Sequence, residues 1–431
     1  MSDRTRRWLW RGLAVLLEAA FIALVRLPQG AGGSLLRCLL WLSAAGLVYL
    51  IAVLLTLRPT RLGRPSLRLL VWAAVIFRLT LLPLTPQLTH AALRNQWEGK
   101  IQHYSFNPYP YPPANALFAP LAPPAGLPAP QVAAWRPPFA EMLLHAAYAL
   151  FRGLRLMKLA WAGFDLLLIL LLIRLLRARA QPPEWALLYA WSPLAVFEVA
   201  GNGHMAPAAV LLLLLALDWA ARERKRAGVA AAAAALTAWY ALLALPLVLA
   251  AAGRKWKAVL AWMLAAATAI WLPYLFFNRR LIFPAVALNL RLRLAAPPFN
   301  ASLFSLLQAW FGSRAAWAAA LALVAAALAA GLWIRGKSTQ MDPFRAVFAT
   351  IGALLLALPH VHPAMALWIL PFTVLFPEPA WIYFALAVVW GYAVGRSPLW
   401  SWIEYAPLYA LLIWQLVRAR TAAAAPAAPA P

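Results

Sequence analysis

Long apolar segments separated by short clusters of Lys and Arg run through this chain of 431 residues, and they restrict the folds open to it. A helix crosses a bilayer with about 20 consecutive apolar residues. Hydrophobic residues make up 65% of the chain and charged residues 12%, roughly half the charged share of a soluble domain. The pattern predicts an all-α polytopic membrane protein, because a helix satisfies its own backbone hydrogen bonds inside the bilayer.

The apolar runs predict a single membrane domain over residues 1–420 with about 11 to 13 transmembrane helices. The expected spans are 8–25, 34–57, 66–84, 155–176, 184–199, 205–221, 227–249, 256–277, 315–334, 343–358, 363–377, 380–395 and 398–417. Residues 138–151 are compatible with a short re-entrant helix, and Pro246 is compatible with a break that turns 227–249 into a hairpin. The first span has no cleavage site after it and is expected to be retained. The Ala/Pro-rich end, 421–431, is predicted to be disordered.

Basic residues in the short loops predict the orientation. The clusters within 58–68, 174–179 and 222–226 are expected in the cytoplasm, together with the N-terminus. The loop 85–137 is then extracytoplasmic, on the same side as 201–204, Asn300 and 360–362. This arrangement explains most of the net charge of +26 without nucleic acid, because anionic lipid headgroups are the natural partners of such clusters. High Ala, Leu, Arg and Pro usage indicates a GC-rich bacterium, and hence its inner membrane.

The long loop carries the densest group of polar and aromatic side chains. Residues from about His90 to Tyr104 are predicted to form an interfacial helix, followed by a Pro-rich extended stretch. Within that helix the Glu98 carboxylate is surrounded by cations and hydrogen-bond donors, as a phosphate and hydroxyl site would require. The surrounding residues are Arg94, Trp97, Lys100, Gln102 and His103. The alternative is a simple ion pair between Arg94 and Glu98, which are four residues apart.

Five segments occur in the order found in one known family. They are Arg94 with Trp97-Glu98-Gly99-Lys100 and Asn107-Pro108-Tyr109; Arg136-Pro137-Pro138; Leu188 to Leu194 leading through Glu198 to Gly201-Asn202-Gly203-His204; Phe299-Asn300; and Pro359-His360-Val361-His362-Pro363. Together they cover roughly residues 66–400. They resemble bacterial GT-C class glycosyltransferases that use polyprenyl-phosphate sugars, especially the mannosyltransferase-like branch.

The resemblance implies a GT-C-like helical bundle and transfer, with inversion, of a mannose-like hexose from a polyprenyl phosphate to an extracytoplasmic acceptor. If the chain is catalytic, Glu98 is the best remaining base, and Glu198 is the second candidate carboxylate. The candidate donor and phosphate ligands are Arg94, Trp97, Lys100, Asn107, Tyr109, Arg136, His204, Asn300, His360 and His362. The polyprenyl-linked sugar is a substrate, and no cofactor or divalent metal is expected. The sequence contains no nucleotide-binding glycine motif.

Several positions depart from the family pattern. Ala91 stands where members carry the Asp expected as base, Ala206 where an Asp is frequent, and Ala238 where a Lys is common. Ala364 and Met365 replace an aromatic pair. These losses favour an alternative, in which a catalytically lapsed relative serves as a structural or lipid-binding subunit of a membrane protein complex.

Other polar residues allow more than one interpretation. His360 and His362 could form a metal pair with Glu198 or His204, donate to a phosphate or sugar, or cap helix ends. Glu198 could also hold a polar network at a broken helix end. Glu18 and Asp165 lie within apparent spans, and Lys158 stands seven residues before Asp165, where a buried pair could steady helix packing. In a transporter such charges would form a relay, but no inverted repeat of hydropathy accompanies them.

Overall fold

The computed structural model describes residues 3–27, 34–58, 64–86, 88–89, 91–276, 279–295, 297–337, 342–395, 397 and 399–424. The α-helices are α1 Asp3–Val25, α2 Ser34–Leu57, α3 Leu67–Leu81, α4 Ala91–His103, α5 Pro138–Phe151, α6 Leu154–Ala178, α7 Leu187–Ala190, α8 Pro193–Val196, α9 Ala206–Ala221, α10 Ala227–Ala235, α11 Leu245–Ala251, α12 Trp256–Phe276, α13 Arg279–Leu294, α14 Leu303–Lys337, α15 Pro343–Ala357, α16 Leu370–Leu375, α17 Pro379–Ala387 and α18 Trp400–Ala424. Short 3-10 helices cover Ala116–Leu121, Pro183–Ala186, Trp239–Ala244, Gly253–Lys255, Pro363–Trp368 and Val388–Ala393, and a π-helical turn covers Phe197–Gly201. Within these ranges the fold is all-α, and the pairing of Phe299 with His360 is an isolated bridge.

Of the helices that the structure describes, five are long and apolar enough to cross a membrane, or six when a bent pair counts as one span. They lie within α1, α2, α6, α14 and the segment Gly253–Phe276, and the bent pair is Pro193–Gly201 with Ala206–Ala221. The chain therefore has the architecture of a multi-pass membrane protein. Most other predicted spans appear as shorter or interrupted helices, so the full number of 11 to 13 crossings stays a prediction.

The charged residues separate into two ends of the helical bundle. At one end, which we call the basic end, Arg174 and Arg222 pair with Asp218, at 2.6 and 3.0 Å. Arg179 pairs with Asp342 at the same end of α6. The opposite end of α6 lies beside α4, the segment 104–137 and the turn at 202–205, which we call the loop end. Helix α6 has 25 residues and is therefore about 37 Å long, so it holds the two ends apart across a bilayer thickness.

The predicted span 227–249 is a hairpin of two short helical segments. The interruption lies at Leu236 to Ala238, whereas Pro246 starts α11 as one of its first residues. The tip of the hairpin reaches the loop end, where the amide of Ala140 donates to the Leu236 carbonyl at 3.0 Å. The hairpin then returns to the basic end, because a Cβ built on Gly253 would lie 2.9 Å from the Glu223 carboxylate.

The bent pair forms an interrupted span beside α4 and α6. The chain bends by 117° between the two halves, after the π-helical turn Phe197–Gly201. Gly203 has a φ of +75°, a left-handed conformation that glycine adopts without strain. A Cβ at Gly203 would also lie 3.0 Å from the Cβ of Ala92, so α4 packs directly on the break.

The structure differs from two further predictions. Asp165 pairs with Arg78 at 2.5 Å and accepts a hydrogen bond from Tyr189, so the predicted pair with Lys158 is not formed. Lys158 and Asp165 are seven residues apart on one helix, and other helices supply the nearer partners. Helix α18 continues to Ala424, four residues into the predicted tail, and the rest of that tail lies outside the described residues, as do Arg61 and His90.

Candidate functional site

Helix α4 covers the predicted interfacial helix, and its Arg94 fastens the following loop. The Nη2 atom of Arg94 donates to the Val132 carbonyl at 2.6 Å, and Nη1 donates to the Ala129 carbonyl at 3.1 Å. Its Nε donates to Glu98 at 2.6 Å. Arg94 is buried and binds groups of the protein itself, so the predicted phosphate ligand acts here as a loop clamp.

Glu98 lies between two arginines. One carboxylate oxygen accepts from Arg94 and the other from Arg136, whose side chain comes from the residue pair that precedes α5. Burial alone would raise the pKa of Glu98, but the charges of Arg136 and Arg94 outweigh it, so its pKa lies below the ordinary value. Glu98 is therefore an ionised carboxylate in the protein interior.

Glu141, in the first turn of α5, is a second buried carboxyl beside Glu98, and sequence analysis missed it. The two carboxyl groups are within hydrogen-bonding distance of each other. Burial raises the pKa of Glu141 well above its ordinary value, and the negative charge of Glu98 raises it further. The surroundings therefore favour the ionised form of Glu98 and the protonated form of Glu141. An acid inside an apolar helix that begins with proline was the available signal.

Gln102 and Tyr274 complete this carboxyl pair. The Gln102 Nε2 atom donates to Glu141 Oε2 at 3.0 Å, and the Tyr274 hydroxyl donates to Gln102 Oε1 at 2.9 Å. Tyr274 belongs to α12, so the network joins α4, α5 and α12. The sequence indicates Gln102 as a hydrogen-bond donor near Glu98, whereas no sequence pattern singles out Tyr274.

The remaining loop candidates mostly fix the loop itself. Trp97 is buried and packs edge-on against Phe118, with 5.7 Å between ring centroids. The Lys100 ammonium donates to the Leu121 carbonyl at 2.6 Å. Each of these contacts ties α4 to the Pro-rich segment that follows it.

Asn107 and Tyr109 connect the loop to other elements. Asn107 Nδ2 donates to the Tyr274 carbonyl at 3.1 Å. The Tyr109 hydroxyl donates to the Arg136 carbonyl at 2.7 Å, which fixes the backbone of the residue that reaches Glu98. The structure thus brings Arg94, Glu98, Tyr109 and Arg136 together, as the sequence predicts for one site.

Glu198 lies in a second cluster at the interrupted span. Its carboxylate accepts from Tyr392 at 2.8 Å and from Asn202 Nδ2 at 3.1 Å. The His204 Nε2 atom is 3.5 Å from the same carboxylate. Glu198 is fully buried, whereas 23% of the His204 side chain is exposed. The predicted pair of Glu198 and His204 is therefore adjacent in space, with His204 on the open side.

Asn300 lies in a third cluster with His360 and His362. Its Nδ2 atom donates to the Val361 carbonyl at 3.2 Å and to Glu404, a buried acid of α18, at 2.8 Å. His360 contacts the Pro297 carbonyl through Nε2 at 2.8 Å. His362 is exposed and stacks on Phe299, with 4.9 Å between ring centroids.

The three clusters surround one region of the loop end. Burial lowers the pKa of His204, and the positive charges of His362 and Arg136 lower it further. Asn95 of α4 donates to the Gly203 carbonyl at 3.1 Å, which joins the first cluster to the second. Over the described part of the chain, no group of three or more His, Cys, Asp and Glu side chains is arranged to hold a metal ion.

Helix length, hydropathy and these clusters define a multi-pass helical membrane protein with a polar region at one end. Comparison with protein-family models, with curated proteins and with solved structures finds no match to this chain.

Proposed function

We propose that this protein is a membrane hexosyltransferase that moves a mannose-like sugar from a polyprenyl phosphate to an extracytoplasmic acceptor. The proposal includes a GT-C-like bundle of about 11 to 13 spans in a bacterial inner membrane, with a cytoplasmic N-terminus. Membrane lipids and the polyprenyl-linked sugar are its partners. It rests on the residues that resemble the GT-C class and on the arrangement of the loop end.

The observation that carries the proposal is the position of Arg136. Its guanidinium neutralises Glu98, yet 16% of its side chain remains exposed, compared with 7% for Arg94. His204, of which 23% of the side chain is exposed, and the exposed His362 are further side chains of the loop end. A phosphate arriving from the bilayer would therefore meet Arg136 first and would compete with Glu98 for its donors.

This competition would prepare Glu98 for catalysis. When Arg136 turns to the donor phosphate, one oxygen of Glu98 is released and loses the charge that lowers its pKa most, which makes it a stronger base, while Arg94 still pairs with the other oxygen. Glu98 then takes the proton of the acceptor hydroxyl while the hydroxyl oxygen forms a bond to the anomeric carbon. The bond from that carbon to the phosphate oxygen breaks, and polyprenyl phosphate leaves with the electron pair. Because attack occurs opposite the leaving group, the anomeric configuration inverts.

The test is a transfer assay in proteoliposomes with a radiolabelled polyprenyl-phosphate hexose and a membrane acceptor fraction. Glu98→Gln is expected to lower the rate about 100-fold or more, as loss of a general base does. Asp218→Asn is the matched control, because Asp218 is also buried and paired with two arginines, but at the basic end.

Two outcomes would count against the proposal in different ways. A wild-type protein that transfers no hexose from any polyprenyl-phosphate donor would refute the function. A folded Glu98→Gln variant that transfers at the wild-type rate would refute the role of Glu98 alone. Folding of each variant is checked by thermal melting of the tryptophan fluorescence.

A second candidate function is a lapsed relative that acts as a subunit of a membrane complex. It is favoured by Arg94 and Lys100, whose charged groups bind loop carbonyls, and by Ala91 in place of the expected base. Mass spectrometry of the protein purified in mild detergent distinguishes the two. A protein partner in fixed ratio without a polyprenyl lipid would support the subunit, and a bound polyprenyl-phosphate sugar would support the transferase.

A further inference from the structure

Lys158 is a buried cation that the proposed reaction does not use. It stands on α6, is 1% exposed and is surrounded by apolar helices. Its ammonium donates to the Leu84 carbonyl at 2.6 Å and to the Gly201 carbonyl at 2.9 Å. Among the residues that the structure describes, no carboxylate is within ion-pair distance of it, because Asp165 pairs with Arg78. A buried charge held by backbone carbonyls alone requires an explanation.

One carbonyl lies at a helix end and the other in the turn that follows a helix. Gly201 is the last residue of the first half of the interrupted span, and Leu84 follows the end of α3. Terminal carbonyls lack helical partners and carry the negative end of the helix dipole. Unwound carbonyls of this kind coordinate small cations at broken membrane helices. The Gly201 carbonyl at a helix end and the Leu84 carbonyl in the turn after α3 thus offer two oxygen ligands to a monovalent cation.

The stem of Lys158 also shapes the break. A Cβ built on Gly203 would lie 3.2 Å from Lys158 Cγ, so the side chain passes directly beneath the turn that bears Asn202 and His204. Asn95 holds the same turn from α4. Lys158 is therefore the contact from α6 that sets the position of the second cluster.

We propose that the interrupted span contains a monovalent-cation site, and that the Lys158 ammonium is a tethered cation occupying it. In this arrangement Lys158 is a positioning residue for Glu198 and His204. An added organic cation of matching size should take the site when the side chain is shortened. This inference does not depend on the proposed transferase activity.

The experiment uses Lys158→Ala in the full-length protein, which removes three methylene groups and the ammonium. Propylammonium replaces these atoms one for one. We expect the melting temperature of Lys158→Ala to fall, and propylammonium chloride to restore at least half of the loss. Neutral 1-propanol, which has the same length, and sodium chloride at equal ionic strength should restore less.

Lys100→Ala is the matched control, because the Lys100 ammonium also donates to a carbonyl but its side chain is only partly buried. Propylammonium should not stabilise that variant or the wild type. Equal stabilisation of Lys158→Ala by propylammonium and 1-propanol would overturn the proposal.

Lys158→Met keeps the stem and removes the charge, so it tests the same point if Lys158→Ala does not fold. A Lys158→Met protein that melts at the wild-type temperature would show that the site needs no cation. If the wild-type protein transfers no hexose but propylammonium still restores the melting temperature of Lys158→Ala, the transferase function is refuted and the cation site is supported.

Discussion

Glu98 and Glu141 are neighbouring buried carboxyls whose surroundings give them different charges. Glu98 has a guanidinium on each oxygen, and the two positive charges favour its ionised form. Glu141 receives an amide hydrogen bond from Gln102 and faces a negative neighbour. Two ionised carboxylates side by side in the interior would repel each other strongly, which favours the protonated form of Glu141.

We expect Glu141→Gln to remove part of the pH dependence of stability. A folded pKa raised above the ordinary value of 4.5 means that the native state binds this proton more tightly than the unfolded state. That stabilisation is complete below the ordinary value and is lost as pH rises through the raised folded pKa. Glutamine carries no such proton, so the melting temperature of Glu141→Gln should fall less over that interval.

The measurement is the melting temperature in detergent from about pH 5 to about pH 9, compared between wild type and variant. Glu223→Gln, an exposed acid at the other end, should follow the wild-type curve. Parallel curves for wild type and Glu141→Gln would mean that Glu141 is not the proton carrier.

Helices α4 and α5 pack closely at Gly99. A Cβ built on Gly99 would lie 2.5 Å from the Leu144 carbonyl oxygen and 2.8 Å from the Tyr148 Cβ. Both neighbours belong to α5, and one is backbone, so neither can move cheaply. This close approach brings Glu98 of one helix beside Glu141 of the other.

Gly99→Ala should therefore separate the two helices and destabilise the protein by about 1–3 kcal/mol, the usual cost of overpacking. Gly163→Ala on α6 is the control, because a Cβ there meets no atom within 4 Å. That variant is expected to be neutral, or stabilised by up to about 1 kcal/mol through helix propensity. Chemical denaturation in micelles measures both, and equal effects would contradict the packing argument.

Local sequence signals account for the helix boundaries that could be predicted. Helix α5 begins at Pro138, where the Arg-Pro-Pro sequence predicts a helix start, since proline is tolerated in the first turn. Helix α4 ends one residue before the predicted end, at His103. The sequence points to Pro246 as the break, but the break lies at 236–238. Pro246 lies near the start of α11, where a proline does not interrupt the helix.

At the scale of the whole molecule, the charges separate into the basic end and the loop end along the length of α6. Asp218, Asp342 and Glu378 pair with arginines at the basic end, and the candidate site lies at the other. In a bilayer these ends should face opposite compartments, and the positive-inside rule predicts that the basic end is cytoplasmic.

Cysteine labelling tests this orientation. Cys38 is buried and should not react, so the protein without an added cysteine serves as the unlabelled control. A membrane-impermeant maleimide should label Gln131→Cys, exposed at the loop end, in intact cells. Arg224→Cys, exposed at the basic end, should react only after the membrane is opened. The reverse pattern would invert the predicted topology, and labelling of both positions in intact cells would refute it.

The sequence by itself determined the membrane class, most helix positions and the grouping of charges at two ends. These properties depend on runs of neighbouring residues, on the length needed to cross a bilayer and on local charge. It also indicated that Arg94, Glu98 and Arg136 belong to one region.

Only the tertiary structure decided which buried charges are partners. Arg78 meets Asp165 from 87 residues away, and Lys158 meets Gly201 from 43 residues away. Hydropathy records how costly such groups are inside a membrane, but not which helix compensates them. Helix packing determines the partners, and it thereby places Glu141 beside Glu98 and the Lys158 ammonium beneath the interrupted span.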